Sequence, residues 1–152
     1  MSQLKIENIY SSDLCRAMQT AQILADELQL QVIPLAQFRE VNNGDLAGMK
    51  NDIAQKQYPG MYWNQMGWEQ NYPNGESPKQ FYERIRAAWA AFSQKILLNN
   101  NNVILVTHGG VMHVIDALLK NKTYNNQAMQ RKVNHAQIIA LSYQNNEWKE
   151  IQ

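Results

Sequence analysis

Apolar and polar positions alternate over Ile6–Tyr10 (IENIY), the period-2 signature of a strand. Ser11, Ser12 and Asp13 follow with oxygens suited to helix N-capping. Leu14, Ala17, Ala21, Leu24, Ala25 and Leu28 then recur at helical spacing. A second β-prone run, Gln31–Leu35, completes a βαβ unit, which predicts parallel strands and a right-handed crossover. Between Arg39 and Asn74 glycines, prolines and aromatics crowd together. One helix is predicted there, over Lys50–Gln57, stopped by Tyr58-Pro59-Gly60. Ser77 as N-cap and Pro78 at the first helical position open a long helix whose inner face is Phe81, Ile85, Ala88, Trp89, Phe92 and Ile96. The asparagine run Asn99–Asn102 reads as a solvated turn. Val103–Thr107 is an unbroken apolar run, the pattern of a strand buried on both faces, and His108-Gly109-Gly110 leads from it into a helix over Val111–Leu119. Ala136–Tyr143 and Glu147–Ile151 flank Asn145-Asn146, a pair that suits a two-residue hairpin because Asn tolerates positive φ. Strands alternate with helices, so the expected class is α/β with a mostly parallel sheet and an antiparallel end. Residues 1–152 read as a single domain with an irregular segment at 41–76.

Composition narrows the function classes. The chain has 152 residues, 45% hydrophobic and 18% charged, a globular balance. No stretch approaches the ~18–20 apolar residues of a membrane span. A net charge of +1 creates no broad field for a nucleic acid or membrane surface, so neither partner is expected and any anion must be held locally. The opening MSQLKIENIYSSD lacks a secretory pattern, and the single cysteine, Cys15, excludes an internal disulfide and a cysteine-based zinc site. The expected compartment is the cytoplasm.

In open α/β sheets ligands bind beyond the carboxyl ends of the strands. Arg16 follows the first strand, Glu40 the second and His108 the third. An arginine in a helix's first turn opposes the helix dipole unless an anion sits there; the alternative is pairing with Asp13 or solvation. His108 before two glycines and a helix places an imidazole beside backbone amides that can approach a phosphate, or it merely ends a strand at a tight turn. Glu40 lies in FREVNNGDLAG, where Gly44 and Gly48 point to a closely approached loop; alone, such a residue is more often a surface carboxylate. Other chemistries fail on spacing. A cysteine phosphatase requires an arginine where Ala21 stands, so Cys15 reads as an ordinary small side chain. His108 and His113 are five apart with a turn between, which does not make a zinc pair, and His113 and His135 read as structural or solvated. No metal or cofactor is expected.

Four segments in order, IYSSDLCRAMQTAQILADEL, FREVNNGDLAGM, NGESPKQFYERI and VILVTHGGVMHVI, closely resemble the histidine phosphatase (phosphoglycerate mutase-like) superfamily. The resemblance implies a three-layer α/β/α sandwich. It implies that Arg16 binds the phosphoryl group, that Glu40 is the general acid and that His108 contacts the transferred phosphoryl; the amide of Gly109 at the helix start is expected to bind the same group. It also implies that Glu76 and Ser77 lie near the substrate. The implied partner is a small phosphorylated substrate or free phosphate, alpha-ribazole phosphate being one candidate.

The family pattern begins with a strand ending in Arg-His-Gly, which supplies the nucleophilic histidine, and no Arg-His-Gly occurs in these 152 residues. The resemblance makes that strand central, between the strands corresponding to Val103–Thr107 and Ala136–Tyr143. The chain therefore reads as N-terminally incomplete, with a gap, a direct re-pairing or a strand from another chain at that place, and with self-association through exposed sheet edges. The expected function is a phosphatase of small phosphomonoesters that lacks the nucleophile segment and is inactive as written. The alternative is a noncatalytic phosphate-binding or interaction module.

Overall fold

The computed structural model of the protein describes residues 5–128 and 132–151. β1 (Asn8–Ser11), α1 (Cys15–Leu28) and β2 (Val32–Pro34) form the expected parallel βαβ unit, with Ile9 opposite Val32. Extended backbone persists through Ser11, and the predicted caps are displaced: Leu14 holds the N-cap position of α1 and no side chain caps it. The outward face of α1 is also wider than its spacing suggests. Ala17, Ala21 and Ala25 are its buried residues, whereas Leu28 is exposed. Small side chains let the helix lie close on the sheet.

β3 (Val103–Val106) pairs with the other side of β1, giving the parallel order β2-β1-β3. Strand alternation then builds two cores. Ile9, Ile104 and Val106 meet Ala21 and Ala25 of α1. Tyr10, Val103 and Leu105 pack with Phe38 and with α3 (Pro78–Asn99) and α4 (Gly109–Leu119), through Phe81, Ile85, Phe92, Val111 and Val114. Helices thus cover both faces of the parallel sheet.

The long helix begins as read from the sequence. Ser77 accepts the Gln80 N–H at 3.2 Å while the Gln80 side chain accepts the Ser77 N–H at 3.0 Å, a reciprocal cap. The asparagine run is not all turn: Asn99 ends α3, and Asn100 takes the left-handed conformation that closes it.

Two expectations about the sheet are corrected. β3 is half-buried at every residue, not fully buried, because only its β1 edge is paired. Its side chains are covered above and below but open laterally, and no described residue pairs with its other edge. β4 (Ala140–Gln144) and β5 (Glu147–Ile151) form a separate antiparallel pair, not the end of one continuous sheet. The hairpin itself is as expected, with Asn145 and Asn146 at φ 53° and 63°, but its first strand starts at Ala140, which pairs with Ile151, the last described residue; Ala136 takes a positive φ, outside the extended region.

Within 41–76, α2 (Asn51–Gln57) matches the predicted helix to within a residue. Gly44 is closely approached as expected: φ is 53°, and a Cβ there would overlap the Pro73 carbonyl. Gly48 borders open space, so only its backbone conformation calls for glycine. Met66 and Tyr72 are buried, Trp63 stacks on Tyr72 at 6.4 Å, and Asn126 donates to the carbonyls of Trp63 and Met66 at 2.6 and 3.0 Å. Among the described residues no helix is long and apolar enough to cross a membrane.

Candidate active site

The turns after β1, β2 and β3 leave the same end of the parallel sheet. His108 follows β3 in extended conformation and occupies the N-cap position of α4, which starts at Gly109, two residues earlier than predicted. The glycine amides therefore belong to the helix's first turn, where N–H groups lack intrahelical partners. Gly110 N–H donates to Glu40 Oε2 at 2.9 Å, and Val41 N–H donates to Oε1 at 3.1 Å. Any side chain at Gly110 would overlap the Glu40 carboxylate, whereas the space beside Gly109 is open.

The loop carrying Glu40 is braced from α3 by a residue that sequence reasoning missed. Arg84 donates to the carbonyls of Gln37 (2.8 Å), Arg39 (3.0 Å) and Glu40 (3.4 Å), and to both Glu76 oxygens (2.6 and 3.2 Å). Glu76 in turn accepts the Asn42 N–H at 2.8 Å. Thr107, just after β3, closes the brace by donating to the Phe38 carbonyl at 3.0 Å. The available signal was an arginine next to Ile85 and three residues after Phe81 on a face read as core. Glu76 and Ser77, placed near substrate by the resemblance, are engaged within the fold, Glu76 in this brace and Ser77 in the α3 cap.

His108 is 8% exposed, and its Nε2 lies 2.8 Å from the Ser12 hydroxyl. Burial pushes its pKa below the ordinary 6.5; the Glu40 carboxylate opposes this shift and the Arg16 guanidinium adds to it. Arg16 and Glu40 are thus both close enough to act on the charge of His108. Pairing of Arg16 with Asp13 is excluded because Arg39 takes that carboxylate in a two-pronged contact of 2.6 and 2.5 Å. Arg16 is exposed, and its guanidinium has no hydrogen-bond or ionic partner among the described residues.

The lowered pKa of His108 has a consequence for stability. Unfolding restores the ordinary value of 6.5, so in the window below it the unfolded chain binds more protons. The expected result is a Tm that falls as pH drops through 6.5 and levels off below the folded-state pKa, with a smaller fall in His108→Gln. Thermal melts across pH check this; equal slopes in both proteins would refute it.

Tyr124, also missed, sits within reach of Glu40. Burial first, and the Glu40 charge second, push its phenol up to about 12, against an opposing hydrogen bond from Trp63. It stacks on Tyr82 with ring centroids 5.5 Å apart. No group of three or more His, Cys, Asp or Glu among the described residues is arranged to hold a metal ion. His113 Nε2 is buried without a partner among those residues, His135 is exposed, and Cys15 is exposed at the start of α1.

A model of the histidine phosphatase superfamily (branch 1) matches residues 1–151. The chain belongs to that superfamily. Among curated relatives, it is 35% identical over 112 residues to phosphoglycerate mutase-like protein 4 of Arabidopsis thaliana, covering 71% of this chain and 48% of the relative. It is 30% identical over 107 residues to the uncharacterised phosphatase PhoE of Bacillus subtilis, covering 70% and 50%. The chain spans about half the length of these relatives. The crystal structure of the alpha-ribazole phosphatase from Shigella flexneri superposes with a TM-score of 0.80 at 21% identity, over 99% of this chain and 74% of that one. That likeness establishes a common fold: a mixed α/β structure with a mostly parallel sheet and a small antiparallel one.

Proposed function

We propose that the protein is a phosphatase of the histidine phosphatase type acting on a small phosphomonoester. The observation that carries this reading is the tie between Glu40 and the Gly110 amide, next to a buried His108 and within electrostatic reach of an unpaired Arg16. Arg16 and the open face at Gly109 bind the phosphoryl group, His108 stabilises its oxygens in the transition state, and Glu40 protonates the leaving oxygen. Glu76 and Ser77 support this site through the brace and the helix cap. The phosphorus is attacked by a histidine of the Arg-His-Gly segment, which these 152 residues do not contain. The short stretch from Glu40 to Gly75 favours a phosphatase over a mutase. In this reading residues 1–152 act as one domain, residues 41–76 cap the pocket, the open sheet edges mediate self-association, and the exposed lone cysteine suits the cytoplasm. Alpha-ribazole phosphate and sugar phosphates are the substrates to compare.

The second reading is a noncatalytic phosphate-binding module, which needs only the anion-binding groups found in these residues. The coding sequence upstream of Met1 separates the two: an in-frame Arg-His-Gly strand supports the phosphatase, and a start without one supports the module. Both require the cradle to bind anions. A charge-assisted hydrogen bond contributes roughly 1.5–3 kcal/mol, so Arg16→Ala is expected to weaken phosphate binding about tenfold or more. Glu40→Gln is expected to strengthen it slightly by removing a nearby negative charge. Calorimetric titration reads both; parent-like affinity in Arg16→Ala would mean that the phosphate site implied by the family is not formed.

A further inference from the structure

The contact between Ser12 and His108 fixes more than the position of the ring. Both residues are buried, at 0% and 8% exposure, and Ser12 Oγ lies 2.8 Å from His108 Nε2. Such a bond has two senses, and the hydrogens follow from the surrounding network. Ser12 Oγ already accepts the Leu14 N–H at 3.4 Å. If Nε2 donated as well, the hydroxyl proton would be directed at no acceptor among the described residues, in a place closed to water. With the hydroxyl donating to Nε2, the Ser12 proton has an acceptor while its oxygen still accepts from Leu14, and the ring proton of a neutral imidazole falls on Nδ1. The Ser12 peptide is anchored at both of its polar groups. Ser11 Oγ donates to its carbonyl at 2.8 Å, and its N–H donates to the Val106 carbonyl at 2.9 Å. Nδ1 makes no hydrogen bond to any described residue.

We propose that Ser12 is a positioning residue that holds His108 as the Nδ1–H tautomer, so that Nδ1–H is the donor offered to a phosphoryl oxygen. The target of that donor rests on the phosphatase reading; the tautomer does not. In water neutral histidine favours the opposite, Nε2–H form, so the fold would be imposing the less common one. The free energy of the Ser12 bond then acts on the site as a prepaid orientation: a donor already aimed needs no proton shuffle when the anion arrives.

The test uses the 15N-labelled 152-residue chain, with long-range proton–nitrogen correlation spectra recorded above the ordinary histidine range and His108 assigned by its loss in His108→Gln. The parent is expected to show a protonated-type Nδ1 and an unprotonated-type Nε2. In Ser12→Ala the Nε2–H form should become the major one, and Ser12→Thr, which keeps the hydroxyl, should restore Nδ1–H. A parent in the Nε2–H form, or an unchanged tautomer in Ser12→Ala, overturns the proposal. Should the alanine variant not fold, the parent spectrum alone decides. Titration with inorganic phosphate separates the tautomer from its use: no binding by the parent counts against the phosphatase reading, while the nitrogen shifts still decide the tautomer.

Discussion

Purified as these 152 residues, the chain is expected to hydrolyse a generic aryl phosphate at least about a thousandfold more slowly than an intact superfamily member, because a covalent mechanism without its nucleophile retains only the electrostatic part of its catalysis. If Glu40, Arg16, His108 and the helix amides hold the roles proposed for them, binding and turnover should separate: phosphate binds, and ester is not cleaved. Steady-state assays beside the phosphate titration measure both. Turnover at the rate of an intact member, abolished by His108→Ala, would transfer the nucleophile's role to His108 and overturn its assignment as a stabilising group. His108 is a poor substitute on geometric grounds. Its Nε2 faces the Ser12 hydroxyl, and attack through Nδ1 would remove it from the stabilising role.

Arg84→Met is expected to cause the largest loss of stability among the site's substitutions, on the order of 2–4 kcal/mol. The side chains of Arg84 and Glu76 are 27% and 14% exposed, so solvent screening reduces the ion pair below the fully buried range. The change leaves the Glu76 carboxylate without its cation and three loop carbonyls without a donor. Urea unfolding of Arg84→Met, Glu76→Gln and the double variant forms a cycle in which the double variant should be less destabilised than the sum of the singles. Additive losses, or an Arg84→Met loss under about 0.5 kcal/mol, would mean that the loop holds Glu40 without this brace.

Local signals carried much of the architecture. The long helix was legible because the Ser77 cap and the fixed φ of Pro78 act within one turn, and the hairpin because Asn145 and Asn146 accept positive φ with no outside help. The three candidate site residues, Arg16, Glu40 and His108, were legible for a topological reason: each comes after a parallel strand, and parallel strands deliver their succeeding loops to one end of the sheet. Pairing among distant charged groups could not be ranked from the sequence. Asp13 was available to Arg16 by proximity in the chain, yet the fold brings Arg39 to it from 26 residues away in a geometry that fits both carboxylate oxygens. Burial of β3 also lay beyond its own residues, since an apolar run states how a strand prefers to be covered and a neighbouring strand decides whether its edge is closed. Arg84, Ser12 and Gly110 acquire their roles only in the folded chain: a brace across 44 residues, a contact across 96 and a glycine required by a carboxylate 70 residues earlier. Residue type and local spacing determined which groups reach the site, and tertiary packing alone determined which of their atoms are held, because a hydrogen bond depends on distances of a few tenths of an ångström that no periodicity encodes.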